Sequence, residues 1–320
     1  MQRIIECVPN FSEGRDLSKI ERIVAPFKNQ VNFKMISYEP DADYNRTVVT
    51  LIGEVDAIME ALIPFVKICI DEIDMNFQSG EHPRIGAVDV IPFIPIQNVT
   101  IEDCVTFANI MGEKIATLFD IPVFLYAKAA KSEERISLPN IRKGEYEGMK
   151  EKIKEVAWHP DFGKPVTHPT FGSLAVGARD FLVAFNIDLD TDNEKTASSL
   201  AKTIRQSSGG FQHIQAGPAF LEKHGHMQVT MNILDYSKNP VYRIFEVIKF
   251  EALRYHIQVK SSEIIGLIPK QALLDSVKYY LQVHQLPYDK NMDLETLTAY
   301  AITYLQFRDF DKTKIVEYWI

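Results

Sequence analysis

Cysteine is scarce in this chain and badly placed for pairing. Cys7, Cys69 and Cys104 are odd in number, far apart and form no CxxC. That excludes a disulfide framework and a thiolate zinc site of the usual spacing, and it leaves reduced, part-buried thiols in a cytoplasmic protein as the expectation. Long apolar runs are also missing: the longest mainly apolar stretch, 61–70, contains Pro64 and Lys67 and is too short and too polar to span a bilayer. No signal peptide is read ahead of Arg3, so the Asn-x-Thr triplets at Asn45 and Asn98 are not expected to carry glycans. Positive charge is in deficit, with a net charge of −8, which argues against nucleic acid as a partner. A local cluster of basic side chains can still reverse that sign and hold a small anion. Phosphate-gripping motifs are absent too. The stretch Gly172 to Arg179 has two of the glycines of a P-loop but not its Lys-Ser/Thr, so no nucleotide site of that kind is expected.

What remains is an ordinary soluble composition, 46% hydrophobic and 24% charged, over 320 residues, a length that suits two domains or a duplicated one. Strand patterns at Arg3–Pro9, Phe33–Tyr38, Arg46–Gly53 and Val88–Ile96 alternate with helical ones ending near Phe27 and running from Glu54 to Ile73, with a kink expected at Pro64. The order is βαββαβ. Thr100-Ile101-Glu102-Asp103 reads as a capping box opening another helix, and Ile121–Ala127 as a further strand. Glu133–Lys154 is charged and partly helical, and residues 158–178, rich in proline and glycine, read as an ordered linker.

The pattern then recurs. Arg179–Leu189, Phe211–Leu221 (interrupted near Gly217-Pro218), Met227–Ile233 and Val259–Ile268 are strand-like, and Asn193–Gln206 and Pro240–Tyr255 helical. Met227, Val229, Met231 and Ile233 alternate strictly with polar residues. Two C-terminal helices follow, and 315–320 is read as a short strand. The expected fold is α+β: two ferredoxin-like βαββαβ subdomains, residues 1–178 and 179–320, with helices on the outer faces and a ligand cleft between the sheets.

Chemistry is concentrated between Ser79 and Pro95. Glu81, His82, Arg84 and Asp89 lie together, and Gly80, Pro83 and Gly86 keep His82 and Arg84 in a loop anchored by the apolar run that follows. A tight turn whose histidine only bonds backbone is the plain alternative. Arg142, Lys143, Lys164 and Arg179 form either a solvated basic face or an attractor for a di- or polycarboxylate. His224-Gly225-His226 is better explained by a glycine turn between strands than by a metal site, and no metal is expected.

Several stretches resemble the glutamate formiminotransferases (glutamate formimidoyltransferases): Glu6-Cys7-Val8-Pro9-Asn10-Phe11-Ser12-Glu13-Gly14-Arg15, Asp41–Thr50, Gly80–Pro95, Ile141–Gly148, Pro160-Asp161-Phe162-Gly163, and Gly177 through Asn186. Ile214-Gln215-Ala216, Gln228–Leu234 and Ile265-Gly266-Leu267 extend the likeness to the C-terminal region. It is to the stand-alone form, without the cyclodeaminase domain of the mammalian enzyme.

The resemblance implies a cytoplasmic homodimer that moves the formimino group from N-formimino-L-glutamate to tetrahydrofolate, the co-substrate, without metal or nucleotide. It implies His82 as the catalytic residue and Gly163, Lys164, Pro165, Val166, Thr167, His168, Pro169, Thr170, Phe171 and Gly172 as the folate-binding stretch, where this chain departs most from the family. Phe171 is the expected contact for the folate rings. Asp41, Asp43, Arg46, Arg84, Asp89, Arg142 and Arg179 are supporting candidates. Among them, Asp41, Asp43 and Asp89 are candidates to hold the imidazole tautomer or to stabilise the amidinium carbon, and the sequence does not choose. Two other readings stay open: a related folate enzyme that uses a formyl donor or cyclises formyl-tetrahydrofolate, and a non-catalytic folate-binding protein.

Overall fold

The computed structural model describes residues 2–222 and 224–320. The chain divides into two compact units, the first ending at Asp180 and the second running from Phe181 to Ile320.

The N-terminal unit opens with β1 (Ile4–Cys7), β2 (Asn10–Phe11), α1 (Leu17–Val24), β3 (Phe33–Asp41), β4 (Arg46–Glu54), α2 (Val55–Glu72) and β5 (Val88–Gln97). β1 and β2 form one line of strand, lying between β4 and β5 and antiparallel to both. The line breaks at Pro9, which has no N–H to give a ladder, although its carbonyl still accepts from the Val49 N–H at 2.9 Å. β3 pairs with β4, so the antiparallel order is β5–β1–β4–β3. α2 continues without interruption through Pro64.

Beyond β5 the sheet departs from the expected antiparallel unit. α3 (Ile101–Phe119) leads to β6 (Val123–Ala127), the short helices α4 (Glu133–Ile136), α5 (Leu138–Arg142) and α6 (Glu145–Lys152), and β7 (Leu174–Ala178). The capping box at Thr100 forms as expected, with Thr100 and Asp103 exchanging hydrogen bonds. β7 inserts between β5 and β6, parallel to each, and completes a seven-stranded sheet. It lies inside the stretch read as a linker. Its five residues are all buried, so they show no alternation, and the prolines and glycines before it obscure a strand that short.

One face of this sheet carries the main core, in which Phe11, Phe27, Phe65 and Phe93 pack with residues of α1, α2 and α3. On the other face Ile141, Met149 and Ile153 cover Val90, Phe124 and Ala175. Helices therefore lie on both faces. Because Ile5, Cys7, Val49 and Leu51 point into the main core, strand alternation turns Glu6, Arg46, Val48 and Thr50 to the side of α5 and α6.

The C-terminal unit holds β8 (Val183–Leu189), α7 (Glu194–Ile204), β9 (Ile214–Leu221), β10 (His226–Ile233), α8 (Val241–Leu253), β11 (Val259–Ile265), α9 (Lys270–Val283) and α10 (Leu294–Leu305). Its antiparallel order is β11–β8–β10–β9. β9 runs through Gly217-Pro218 without the expected break, because it is an edge strand where a missing N–H costs no ladder bond. Alternation in β10 buries Met227, Val229, Met231 and Ile233, while Gln228 on the opposite face donates to Asp188 and Glu263, each at 2.7 Å. The end of the chain is not a strand. It folds into two 3-10 turns, Lys312–Lys314 and Val316–Tyr318, with the Trp319 indole N–H donating to the Thr313 carbonyl at 2.7 Å. All three cysteines are free and buried.

Candidate active site

The loop between α2 and β5 is tied from several directions. Asn45, in the left-handed region at φ +48, accepts from the Gly14 N–H at 2.9 Å and donates to the Ser79 carbonyl at 2.8 Å. Ser12 donates its hydroxyl to the Gly86 carbonyl at 2.8 Å, and its N–H goes to the Ala87 carbonyl at the same distance. A Cβ at Gly86 would collide with the Ser173 carbonyl, and one at Gly172 (φ +86) with the Ile85 carbonyl. Only glycine allows the two chains to approach this closely. Further backbone bonds join Ala87 to Phe171 and Ser173 to Ile85. The exit of the 163–172 stretch is therefore sewn to the His82 loop.

This framework gathers five of the sequence-selected side chains. His82 is buried, and its Nε2 lies 2.8 Å from Nη1 of Arg46. A guanidinium only donates, so Nε2 presents its lone pair and the neutral ring carries its proton on Nδ1. Burial, followed by the charges of Arg46, Arg142 and Arg84, pushes the His82 pKa down to about 3. Arg84 is held by Glu147 through two contacts, at 2.8 and 3.1 Å, by Glu145 at 2.7 Å and by Gln78 at 2.8 Å. Asp89, 1% exposed, accepts the Ile85 N–H at 3.0 Å and the Arg142 Nε at 3.0 Å, with Arg142 Nη2 on the same carboxylate oxygen. Asp89 thus pairs with Arg142. No bond from Asp89 to the imidazole is present among the described residues.

The other candidates stand apart. Asp41 accepts the N–H groups of Asp43 and Tyr44 in an exposed turn between β3 and β4. Lys164 is exposed and pairs with Asp120 at 3.1 Å. The 163–172 stretch is clamped at both ends. At its entry Asp161 accepts the Leu125 N–H at 2.7 Å and Arg135 Nη1 at 2.8 Å, and at its exit His168 Nδ1 accepts the Phe171 N–H at 3.0 Å. Between the clamps, Gly163, Lys164, Pro165 and Val166 are exposed, Thr167, His168 and Thr170 half-buried, and Pro169 exposed. Phe171 is fully buried in the main core. The expected contact between its ring and a ligand is therefore not provided, and Phe171 anchors the stretch instead.

Arg179 follows β7 directly, with its N–H on the Phe93 carbonyl at 3.1 Å, and its charge acts on Glu6. Glu6 was not singled out as a site residue. Burial pushes its carboxyl up to about 7, with Arg179 pulling the other way. The folded chain therefore holds a proton that the unfolded chain has already lost, and stability falls as pH rises from about 4.5 to about 7. Glu6→Gln is expected to raise the melting temperature over the parent clearly at about pH 8 and little at about pH 5, a differential on the order of 3 kcal/mol. Equal shifts at both pH values in thermal melts contradict this.

Other contributors were not selected individually, although they lie in stretches flagged for resemblance: Ser12, Tyr44, Asn45, Glu145 and Glu147. Tyr44 packs beside the imidazole, with ring centroids 6.1 Å apart, and Arg46 lies over its ring at 5.6 Å.

The first of the two α+β units thus carries a buried histidine among arginines, a set of side chains suited to acid–base chemistry. Comparison with known proteins narrows this class. Residues 4–179 match the formiminotransferase domain, N-terminal subdomain, and residues 184–320 the formiminotransferase domain. The chain is 46% identical to the glutamate formimidoyltransferase of Streptococcus pyogenes serotype M1, over 91% of this chain and 98% of that one. It is 41% identical to the glutamate formimidoyltransferase of Thermoplasma acidophilum, over 88% and 93%. With the formimidoyltransferase-cyclodeaminase of Gallus gallus it shares 36% identity over 89% of this chain and 54% of that protein. The chain belongs to the formiminotransferase family.

Proposed function

We propose that this protein is a glutamate formimidoyltransferase, transferring the formimino group of N-formimino-L-glutamate to N5 of tetrahydrofolate and releasing L-glutamate and 5-formiminotetrahydrofolate. The observation that carries this reading is the end-to-end likeness to the stand-alone enzymes, with His82 in a loop tied down by Ser12, Asn45 and the backbone of Phe171 and Ser173.

N5 attacks the formimino carbon and forms a C–N bond. The proton lost by N5 passes to Nε2 of His82, and the same proton goes to the departing glutamate nitrogen as its bond to carbon breaks. No net acid or base is consumed, so one imidazole serves both steps. Arg84 and Asp89, each saturated by protein partners, hold the loop and Arg142 rather than touch the reacting atoms. The exposed middle of Gly163–Gly172 is the folate-binding stretch in this reading, and placing folate in a cleft between the two units rests on the family resemblance alone. So do the ferredoxin-like description of the subdomains, their division at 178/179, the homodimer and the cytoplasmic location. Lys164 and Arg179 are the basic groups left for the folate glutamate tail, Asp41 acts on Arg46 through its charge, and Asp43 supports the loop through its carbonyl, which accepts the Glu81 N–H at 3.2 Å.

Purified protein given formiminoglutamate and tetrahydrofolate is expected to form the 5-formimino product, followed by its absorbance, at a rate unchanged by a chelator or by ATP. Activity that appears only with ATP overturns the reading in favour of a cycloligase.

A further inference from the structure

A buried imidazole whose lone pair is already occupied is a poor proton acceptor. Three arginines act on it, and further charged groups lie around those arginines. Arg46 comes from β4, with Tyr44 and Asp41 at the turn before it. Arg84 comes from the imidazole's own loop, Asp89 from β5, Arg142 from α5, and Glu145 and Glu147 from α6. Arg84 is answered by Glu145 and Glu147, and Arg142 by Asp89. Arg46 has no carboxylate in ion-pair contact among the described residues; the one hydrogen bond of its side chain there is to His82, and its Nε is buried without a partner. A half-buried guanidinium with open donor positions and no carboxylate in contact is a ready receptor for an anion.

We propose that Arg46 binds a carboxylate of the dicarboxylic amino-acid substrate, and that this carboxylate draws the guanidinium off Nε2 of His82 and frees that nitrogen to accept the N5 proton. This rests on the reading of the protein as a formimidoyltransferase. The α-carboxylate suits the role, since it is joined to the carbon that bears the departing nitrogen. Because Arg46 Nη1 and His82 Nε2 are 2.8 Å apart, a carboxylate on Arg46 leaves that nitrogen near the imidazole. The same event supplies the missing negative charge and relieves the field that keeps His82 from taking a proton. The base is thus armed only when donor is bound.

The test follows the His82 ring signal by NMR across pH, with ¹³C-labelled histidine, with and without saturating L-glutamate, in the parent, Arg46→Gln and Arg46→Lys. In the parent, His82 stays neutral across the neutral range when free and titrates at clearly higher pH with L-glutamate bound. Arg46→Gln titrates higher than the parent when free, shows no further shift with L-glutamate, and binds it roughly 10- to 100-fold more weakly. Arg46→Lys recovers part of the affinity and part of the shift. A parent titration unmoved by bound L-glutamate overturns the proposal, as does parent-like affinity in Arg46→Gln. Formimino transfer by the same parent preparation separates the two failures. If transfer persists, the role of Arg46 falls alone; if there is no transfer, the enzyme reading falls with it.

Discussion

His82→Ala is expected to lower kcat for formimino transfer by roughly 10²–10⁴-fold, the scale of a lost acid–base group. Folate binding should change far less, because the 163–172 stretch is clamped by Asp161, Arg135 and the backbone of Ile85 and Ala87, none of which needs the imidazole. A second readout separates chemistry from damage to the fold. The His82 pKa is depressed from 6.5 to about 3, so in that window the unfolded chain takes up a proton that the folded one refuses. Stability contributed by the neutral ring is full above about pH 6.5 and is lost as pH falls towards 3. The alanine variant should therefore lose less stability than the parent between about pH 6.5 and pH 4, measured by urea unfolding. Near-normal turnover in the folded variant rejects the catalytic role.

Asp89→Asn is expected to cost about 3 kcal/mol of folding stability, the lower end of the range for breaking a buried ion pair, since Arg142 keeps some access to water. Asparagine retains an acceptor for the Ile85 N–H, but it leaves the Arg142 guanidinium without its counter-charge beside a ring already in a positive field. Activity should fall with stability. The double variant Asp89→Leu/Arg142→Met removes both charges, and denaturant midpoints should show it less destabilised than Asp89→Asn. Additive losses would mean that the two residues are not coupled and that Asp89 serves Ile85 alone.

The βαββαβ order was readable because period-2 and period-3.6 runs there are long and punctuated by turn residues. β7 was not, since a short strand buried on both faces has no period and sits among prolines and glycines. Ile315–Ile320 misled for the opposite reason: its apolar residues suit a strand, but the Trp319 indole bond to Thr313 turns the chain back on itself. In the site, His82, Arg84 and Asp89 were visible because they cluster along the chain. Asn45, Glu145 and Glu147 act across large sequence separations, and no local pattern announces which carboxylate will meet Arg84. Phe171 shows the limit of residue type. An aromatic ring in a glycine-rich stretch suits a flat ligand and a core equally, and burial decides for the core.

The central claim is that the formimino carbon passes to tetrahydrofolate with His82 moving one proton. Its most direct measurement traces N-[¹³C-formimino]-L-glutamate by NMR in the presence of tetrahydrofolate and the parent enzyme. The account predicts that the labelled signal moves to 5-formiminotetrahydrofolate in step with release of L-glutamate, and that His82→Ala slows both together. A label that stays on glutamate, or one that reaches folate at an undiminished rate in the variant, contradicts it.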